Sequence, residues 1–566
     1  MPVPSFKRYR WWIGVAGALV SAFIVVYIAA RRAAERFEPT VRQQLIAYLH
    51  DRFQADVQIA ALHIRHAKMP ALDILLKRGR GAMVDVEAQG ISLRFLRSGD
   101  LPPLFTIRKL SFRFDLGDLV ERKQTVQQVT IDGMKVAIPP RNGVAKHAET
   151  SARAKVLVKE VHIQNAVLSL LSRDPKKEPL LFDISQLRLT SVGIDQAMRY
   201  EATLTNPKPP GKVESTGTFG PWVASEPGET PLGGDYRFEK ADLGVFRGIA
   251  GTLTSTGTFA GTLNAVQASG RASVPNFRLK NVGNPVPLST RFEVLVDGTN
   301  GDTVLKPVQA TLGHTQFKTS GAIIRHERGS PRVIQLNVNM PSGDMRDLLR
   351  LAVKGPPSME GIVNLKALIE IPPLTGPVRE KLHLRGDFRL QNARFLRSTI
   401  QDQIDQLSRR GQGHPKNADI DSVLSDIAGS FNLENQILQL QPLSFNVPGA
   451  NVRVAGGYDL QDAAIDFRGT LKLKAKVSQT MTGWKRWALK PADPFFSKNG
   501  AGTFLRIQIT GNSHQPKFGL DRSHKDAPAN VRVTNDTVPD STSAKPIHAA
   551  TTGPDRPVQP ATFVAK

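Results

Sequence analysis

Leu471-Lys472-Leu473-Lys474-Ala475-Lys476-Val477 is the stretch whose reading decides the fold of this chain. Apolar residues hold the odd positions and lysine the even ones. A period of two sends successive side chains to opposite faces, which describes a strand with one buried face and one wet face. Moving outward, Leu505, Ile507 and Ile509 continue the alternation downstream, and Leu253, Phe259 and Leu263 show it upstream. Gly, Asn, Asp and Pro interrupt the chain about every 8–15 residues, the rhythm of a mainly β architecture.

The pattern repeats. Val129-Thr-Ile131-Asp-Gly133-Met-Lys-Val136-Ala-Ile138 is echoed 32 residues later by Val161-His-Ile163-Gln-Asn165-Ala-Val-Leu168-Ser-Leu170. Phe277-Arg-Leu279-Lys-Asn281-Val282 is echoed by Phe388-Arg-Leu390-Gln-Asn392-Ala393-Arg-Phe395. In each, the apolar parity slips by one at an Asp-Gly, Gln-Asn or Lys-Asn pair, as a two-residue turn or a β-bulge would cause. A second echo joins residues 312–321 to 447–456, and Ser-Thr-Gly-Thr-Phe occurs at 215–219 and at 255–259. These units read as one strand-turn-strand idea reused along a sheet.

Residues 13–30, IGVAGALVSAFIVVYIAA, carry no charge and would span roughly 27 Å as a helix, close to the hydrocarbon core of a bilayer. Trp11, Trp12 and Tyr27 suit the membrane interface, and Arg31 and Arg32 close the run. A cleavable leader would have a shorter apolar region and a small-residue cleavage site, so the run reads as a retained transmembrane helix. Basic residues flank both ends, and the positive-inside rule does not orient it. Beyond it, Val41, Leu45, Leu49 and Phe53 recur every four residues as the stripe of an amphipathic helix. Ile400, Ile404 and Leu407 predict a further helix; Ile420, Val423, Leu424 and Ile427 predict its partner behind an Asp419 cap. Trp484, Trp487, Phe495 and Phe496 beside Lys485, Arg486 and Lys490 fit either an interfacial segment or a cap on the core.

Seventy-five basic against fifty acidic residues give a net charge of +25, spread through strand-like segments and not gathered in a block. No zinc-ligand spacing or aromatic-basic RNA-binding signature accompanies it, so nucleic acid is set aside as a partner. Cysteine is absent, which excludes disulfides, thiolate metal sites and a cysteine nucleophile. No nucleophile elbow, Walker loop, dinucleotide fingerprint or zincin motif is present, so no catalytic residue, metal or cofactor is assigned. His63 and His66, three apart on a strand, fall on opposite faces. Asp419 and Asp421 read as helix-dipole partners.

The end of the chain carries the most specific pattern. Phe431-Asn-Leu433-Glu-Asn435-Gln-Ile437-Leu438-Gln-Leu440 leads to Val452-Arg-Val454-Ala-Gly456-Gly457-Tyr458-Asp459-Leu460, then Ile465-Asp466, then Ile507-Gln-Ile509-Thr-Gly511 and Pro516-Lys-Phe518. Together with the N-terminal run and first helix-strand unit, this resembles the AsmA-like family of Gram-negative envelope proteins over most of residues 10–520. The resemblance implies a single-pass inner-membrane anchor with the bulk of the chain in the periplasm. It also implies a long, curved, repetitive β sheet forming an apolar groove, with phospholipid acyl chains as the cargo and an outer-membrane contact at the C-terminal end.

On this reading residues 1–10 are a short cytoplasmic segment, 11–32 the transmembrane helix and 33–54 the amphipathic helix. Residues 55–390 form the repetitive sheet, 391–524 the AsmA-like region with a helical hairpin, and 525–566 a disordered tail. Groove candidates are Leu253, Phe259, Leu263, Leu471, Leu473, Val477, Leu505, Ile507 and Ile509. The expected function is phospholipid transport between the two membranes and outer-membrane maintenance. The alternative is a non-enzymatic scaffold for outer-membrane proteins, working by strand addition at an exposed edge. An enzyme of envelope polysaccharide ranks last.

Overall fold

The computed structural model describes residues between 39 and 521, apart from 51–54, 66–82, 96–101, 116–123, 139–155, 172–177, 325–331 and several shorter stretches. The run at 13–30 with Trp11, Trp12, Tyr27, Arg31 and Arg32, and the tail from 525, lie outside the described residues. Among the described residues no helix is long and apolar enough to cross a membrane.

Among the described residues, twenty-four strands make one mixed sheet that is not closed into a barrel. β1 (Ala55–Arg65), β2 (Met83–Phe95), β3 (Phe105–Asp115) and β4 (Gln124–Ile138) pair in chain order as an antiparallel meander. β5 (Val156–Leu170) joins β4 in parallel. β6 (Leu180–Val192), β7 (Met198–Pro207), β8 (Pro210–Phe219) and β9 (Pro231–Asp242) resume the antiparallel order. The two-residue β10 (Ile249–Ala250) lies beside β12 (Ala265–Leu279), while β11 (Thr252–Thr262) bridges β9 and β12. β13 (Val286–Val296), β14 (Thr303–Leu312), β15 (Thr315–Ile324), β16 (Val333–Asp344), β17 (Met359–Ile371) and β18 (His383–Phe395) follow. β19 (Ser425–Glu434), β20 (Ile437–Val447), β21 (Ala450–Asp459), β22 (Ala464–Leu473), β23 (Thr503–Asn512) and β24 (Gln515–Leu520) complete the ladder.

The sequence echoes have structural counterparts. The 32-residue repeat is the register of the parallel pair: Val129 lies beside Val161, Ile131 beside Ile163 and Ile138 beside Leu170. Its parity slips are irregularities inside continuous strands, not turns, with Gly133 at φ +70° and Asn165 at φ +55°. Glycine and asparagine tolerate this left-handed backbone, and Asn165 Nδ2 donates to Asp132 Oδ1 at 2.8 Å across the two strands. Asn392, φ +53°, sits at the equivalent shift between Leu390 and Ala393, whereas Lys280-Asn281 is a turn after β12.

Helices sit at strand ends. Helical residues within 39–50 lay Leu45, Ile46 and Leu49 on the core of β1–β6. α1 (Met345–Ala352) opens behind Asp344, whose carboxylate accepts from Arg346 N, an ordinary side-chain cap. α2 (Ser398–Gly411) follows β18, and the short α3 (Trp484–Leu489) and α4 (Asp493–Phe496) lie between β22 and β23. The paired echoes at 312–321 and 447–456 both place a hairpin turn against a helix. At the first, Asp347 of α1 accepts from His314 N and Thr315 Oγ1; at the second, Ser408 of α2 donates to Pro448 O.

Two expectations are corrected. The second half of the predicted helical hairpin does not form: β19 starts at Ser425, with Ile427 opposite Leu390 and Phe445. Asp405 of α2 accepts from the backbone N–H groups of Ser422 and Val423, holding the chain open there, and ladder pairing overrides the local 3.6-residue pattern. Asp419 and Asp421 are therefore exposed loop residues and not a helix cap. Likewise the opening heptapeptide is strand only to Leu473. Ala475 is still buried because its N–H donates to Gly411 O and its carbonyl accepts from Thr503 Oγ1, and Val477 begins a 3-10 turn.

Candidate functional site

Residues directly opposite in a ladder share a face, so the register can be followed across the sheet. From Phe259 the row runs through Ala268, Val294, Leu305, Gly321, Leu336, Ile369, Leu384, Leu433, Leu438, Tyr458 and Ile465. A parallel row takes Val338 through Ala367, Gly386, Phe431, Leu440, Gly456, Phe467 and Ile509 to Phe518 on the edge strand. No charged residue interrupts either row. The opposite face carries the ion pairs, among them Arg113 Nε to Asp85 at 2.5 Å and Arg237 Nε to Glu239 at 2.5 Å.

The apolar face is treated differently along its length. Over β1–β6 it is a closed core: Ile91 and Leu93 are each 1 % exposed beneath the N-terminal helical residues. Trp222 ends this core, its ring 5.7 Å from Phe105 and 6.1 Å from Phe219. From β7 onward most inward side chains are only half-buried, and among the described residues no second layer lies over them. Cover returns at one set of strand ends. There Met345 and Leu348 of α1 pack with Met340, Val363 and Leu390, and Ile404 of α2 packs with Val447 and Leu473.

This half-buried floor has its own construction. Aromatic residues face glycines across the ladder: Tyr236 and Gly257, Phe259 and Gly234, Phe292 and Gly270, Phe388 and Gly429, Phe431 and Gly386, Phe467 and Gly456. A ring set against a bare backbone covers it without filling the space above. A methyl group on Gly456 would lie 2.0 Å from the Asp466 carbonyl oxygen, so the strands approach on this face more closely than any side chain permits. The two Ser-Thr-Gly-Thr-Phe copies flank β9, and each buries its serine under a tyrosine. Ser215 Oγ lies 3.0 Å from Tyr200 Oη, Ser255 Oγ 3.0 Å from Tyr236 Oη, and each serine donates onward to a backbone carbonyl. Burial pushes both phenols above their ordinary pKa, so these polar atoms stay neutral and mutually satisfied within the apolar face.

Of the residues singled out in the sequence, Leu253, Phe259, Leu471, Leu473, Leu505, Ile507 and Ile509 share this face. Leu473 belongs to the closed cluster under α2, not to the half-buried floor. Leu263 and Val477 lie outside it: Leu263 is in the β11–β12 turn, and Val477 is past the end of β22. Apart from Phe259, the aromatic residues opposite glycine were missed because bulges reverse parity between segments; their signal was an aromatic and a glycine at matching positions of successive strands. A depression of about 1040 Å³ over β9–β16 is lined mostly by outward residues, Arg237, Thr256, Arg271, Arg291, Gln309 and Lys318 among them. Among the described residues no group of three acidic or histidine side chains is placed to hold a metal ion. The chain matches no protein-family model, no curated protein and no solved structure.

Proposed function

We propose that this protein is a phospholipid conduit, anchored in the inner membrane through residues 11–32, that carries acyl chains along the apolar face of a curved sheet towards the outer membrane. The observation that supports it is the unbroken, charge-free, half-buried face from β7 to β24. Leaving out the two-residue β10, seventeen strands at ~4.8 Å make it about 80 Å long, and an uncovered width of ~25 Å gives on the order of 2000 Å². Exposed apolar patches on soluble monomers reach only about 300–600 Å², so a face of this size calls for an occupant. Acyl chains need no catalytic group and no directional polar partner, which suits a floor of aliphatic and aromatic side chains. The resemblance to AsmA-like proteins supplies the envelope setting and the two membranes.

Native mass spectrometry with lipid extraction on the full chain tests this: several phospholipids per molecule are expected. A lipid-free, monodisperse chain would refute it. One observation favours the scaffold reading instead. Among the described residues β24 pairs only with residues 507–512 of β23, and Phe518 and Leu520 stand 70 % and 53 % exposed at that edge, a place where a partner strand could add. That reading predicts a lipid-free chain whose binding of an outer-membrane protein is lost when β24 is extended or blocked.

A further inference from the structure

With Phe518 at the sheet edge, the β22–β23 connection carries the most exposed large apolar side chains among the described residues. Trp487 is 74 % exposed and Phe495 is 79 % exposed. The connection is nonetheless tied down from within. Asp493 is buried, accepting from Ser478 N at 2.9 Å and Ser478 Oγ at 2.7 Å. Ser497 Oγ donates to Gly502 O at 3.1 Å, and Thr503 Oγ1 to Ala475 O at 2.7 Å. A hydrogen-bonded pedestal thus holds two rings outward that a core would otherwise take in. The rings are set among cations: Lys485, Arg486 and Lys490 are exposed, and Lys490 Nζ lies 5.1 Å above the Trp487 ring. Between residues 467 and 520 the sequence has ten basic residues and one acidic residue, and that one, Asp493, is buried. Over the whole chain the ratio is 75 to 50, so this end is far more one-sided than the rest.

We propose that the connection from Met481 to Phe496 is a docking element for an anionic phospholipid surface. Trp487 and Phe495 enter the interface, and Lys485, Arg486 and Lys490 meet headgroup phosphates. Aromatic rings carried beside cations favour the boundary between headgroups and acyl chains, and the one-sided positive charge of this end is complementary to anionic headgroups. The inference deepens the conduit reading, because it names the surface that meets the far end of the sheet.

The test uses the full chain, its N-terminal apolar run shielded in a phosphatidylcholine nanodisc. It is mixed with vesicles of phosphatidylcholine alone or of phosphatidylcholine with phosphatidylglycerol, and co-flotation is measured. Capture of the anionic vesicles only, weakening with added salt, is expected. K485Q/R486Q/K490Q should weaken it on the order of a hundredfold, at about fivefold per basic residue near an anionic surface. W487A/F495A should weaken it at least tenfold, while hydrogen exchange across residues 474–503 stays as in the parent. Equal capture of both vesicle types, capture of neither, or variants that bind like the parent would each overturn the proposal. Lipid carried per chain, counted on the same preparations, reports separately on the conduit: loss of docking with lipid retained leaves that reading standing.

Discussion

Replacing Leu336 by aspartate, with Ile91→Asp as its counterpart, asks whether the apolar face is open. Ile91 is 1 % exposed, opposite Ile59 and Ile107 in the closed core. Removing its contacts costs about 2–3 kcal/mol, and burying a carboxyl without a partner adds about 2 kcal/mol or more. The sum, ~5 kcal/mol, belongs to the severe class of substitutions. Leu336 lies opposite Gly321 and Ile369 on the half-buried floor. A carboxylate there reaches water, so only part of the leucine transfer term is lost, about 1–1.5 kcal/mol.

In a ladder of nearest-neighbour strands, openings are local. The readout is therefore hydrogen exchange on peptides from β2 and β16, together with the lipid count. Ile91→Asp should unprotect β1–β3 and leave lipid on the distant strands. Leu336→Asp should leave protection in lipid-depleted protein nearly unchanged, yet remove lipid near β15–β17. Comparable loss of protection at both sites in lipid-depleted protein would refute the open face, because it would mean that Leu336 is covered.

Other outcomes follow from particular contacts. Asp347→Ala removes the acceptor for His314 N and Thr315 Oγ1 and should free α1 from the β14–β15 turn at a cost of about 2–4 kcal/mol, seen as faster exchange in residues 313–316 and 345–352. Gly456→Val forces apart strands that leave no room for a Cβ and should cost about 3 kcal/mol or more, read as lost protection in β21 and β22; parent-like protection would contradict the close approach. Burial opposes ionisation of Asp493, but the Ser478 hydrogen bonds and nearby Lys476 and Lys490 hold its carboxyl below its ordinary value. Its stabilising contribution is thus complete above the unfolded pKa of about 3.9 and is lost as pH falls through the lower folded value. Protection of residues 474–497 should fade in that acidic window in the parent, whereas Asp493→Asn should show weakened protection at neutral pH and little further change from this group.

What could be read in the sequence was set by how local the deciding interaction is. Alternation marks strands because exposure of one face depends on the nearest ladder partners, and Leu505, Ile507 and Ile509 were placed correctly on that ground. The 32-residue echo even contained the register of β4 and β5, although nothing local revealed that the pair is parallel. Residues 420–427 misled because their helical spacing is equally satisfied by a strand whose neighbours, β18 and β20, arrive from elsewhere in the chain. Leu471 and Leu473 look identical in sequence, yet α2 closes over the second, and that depends on Ile404 and Val447.

The aromatic-basic stretch from Trp484 to Phe496 shows the same limit from the other side. Its composition fits a core cap and a membrane-facing segment equally well. Asp493 accounts for where the rings stand: by tying its carboxylate to Ser478 it uses the buried side of the turn for a polar contact, and the rings at 487 and 495 are left exposed. A leucine at 493 would have filled that site with apolar contacts and left the rings free to turn inward. One buried carboxylate therefore separates rings packed inward from rings presented to solvent, and its role appears only once Ser478 is seen beside it.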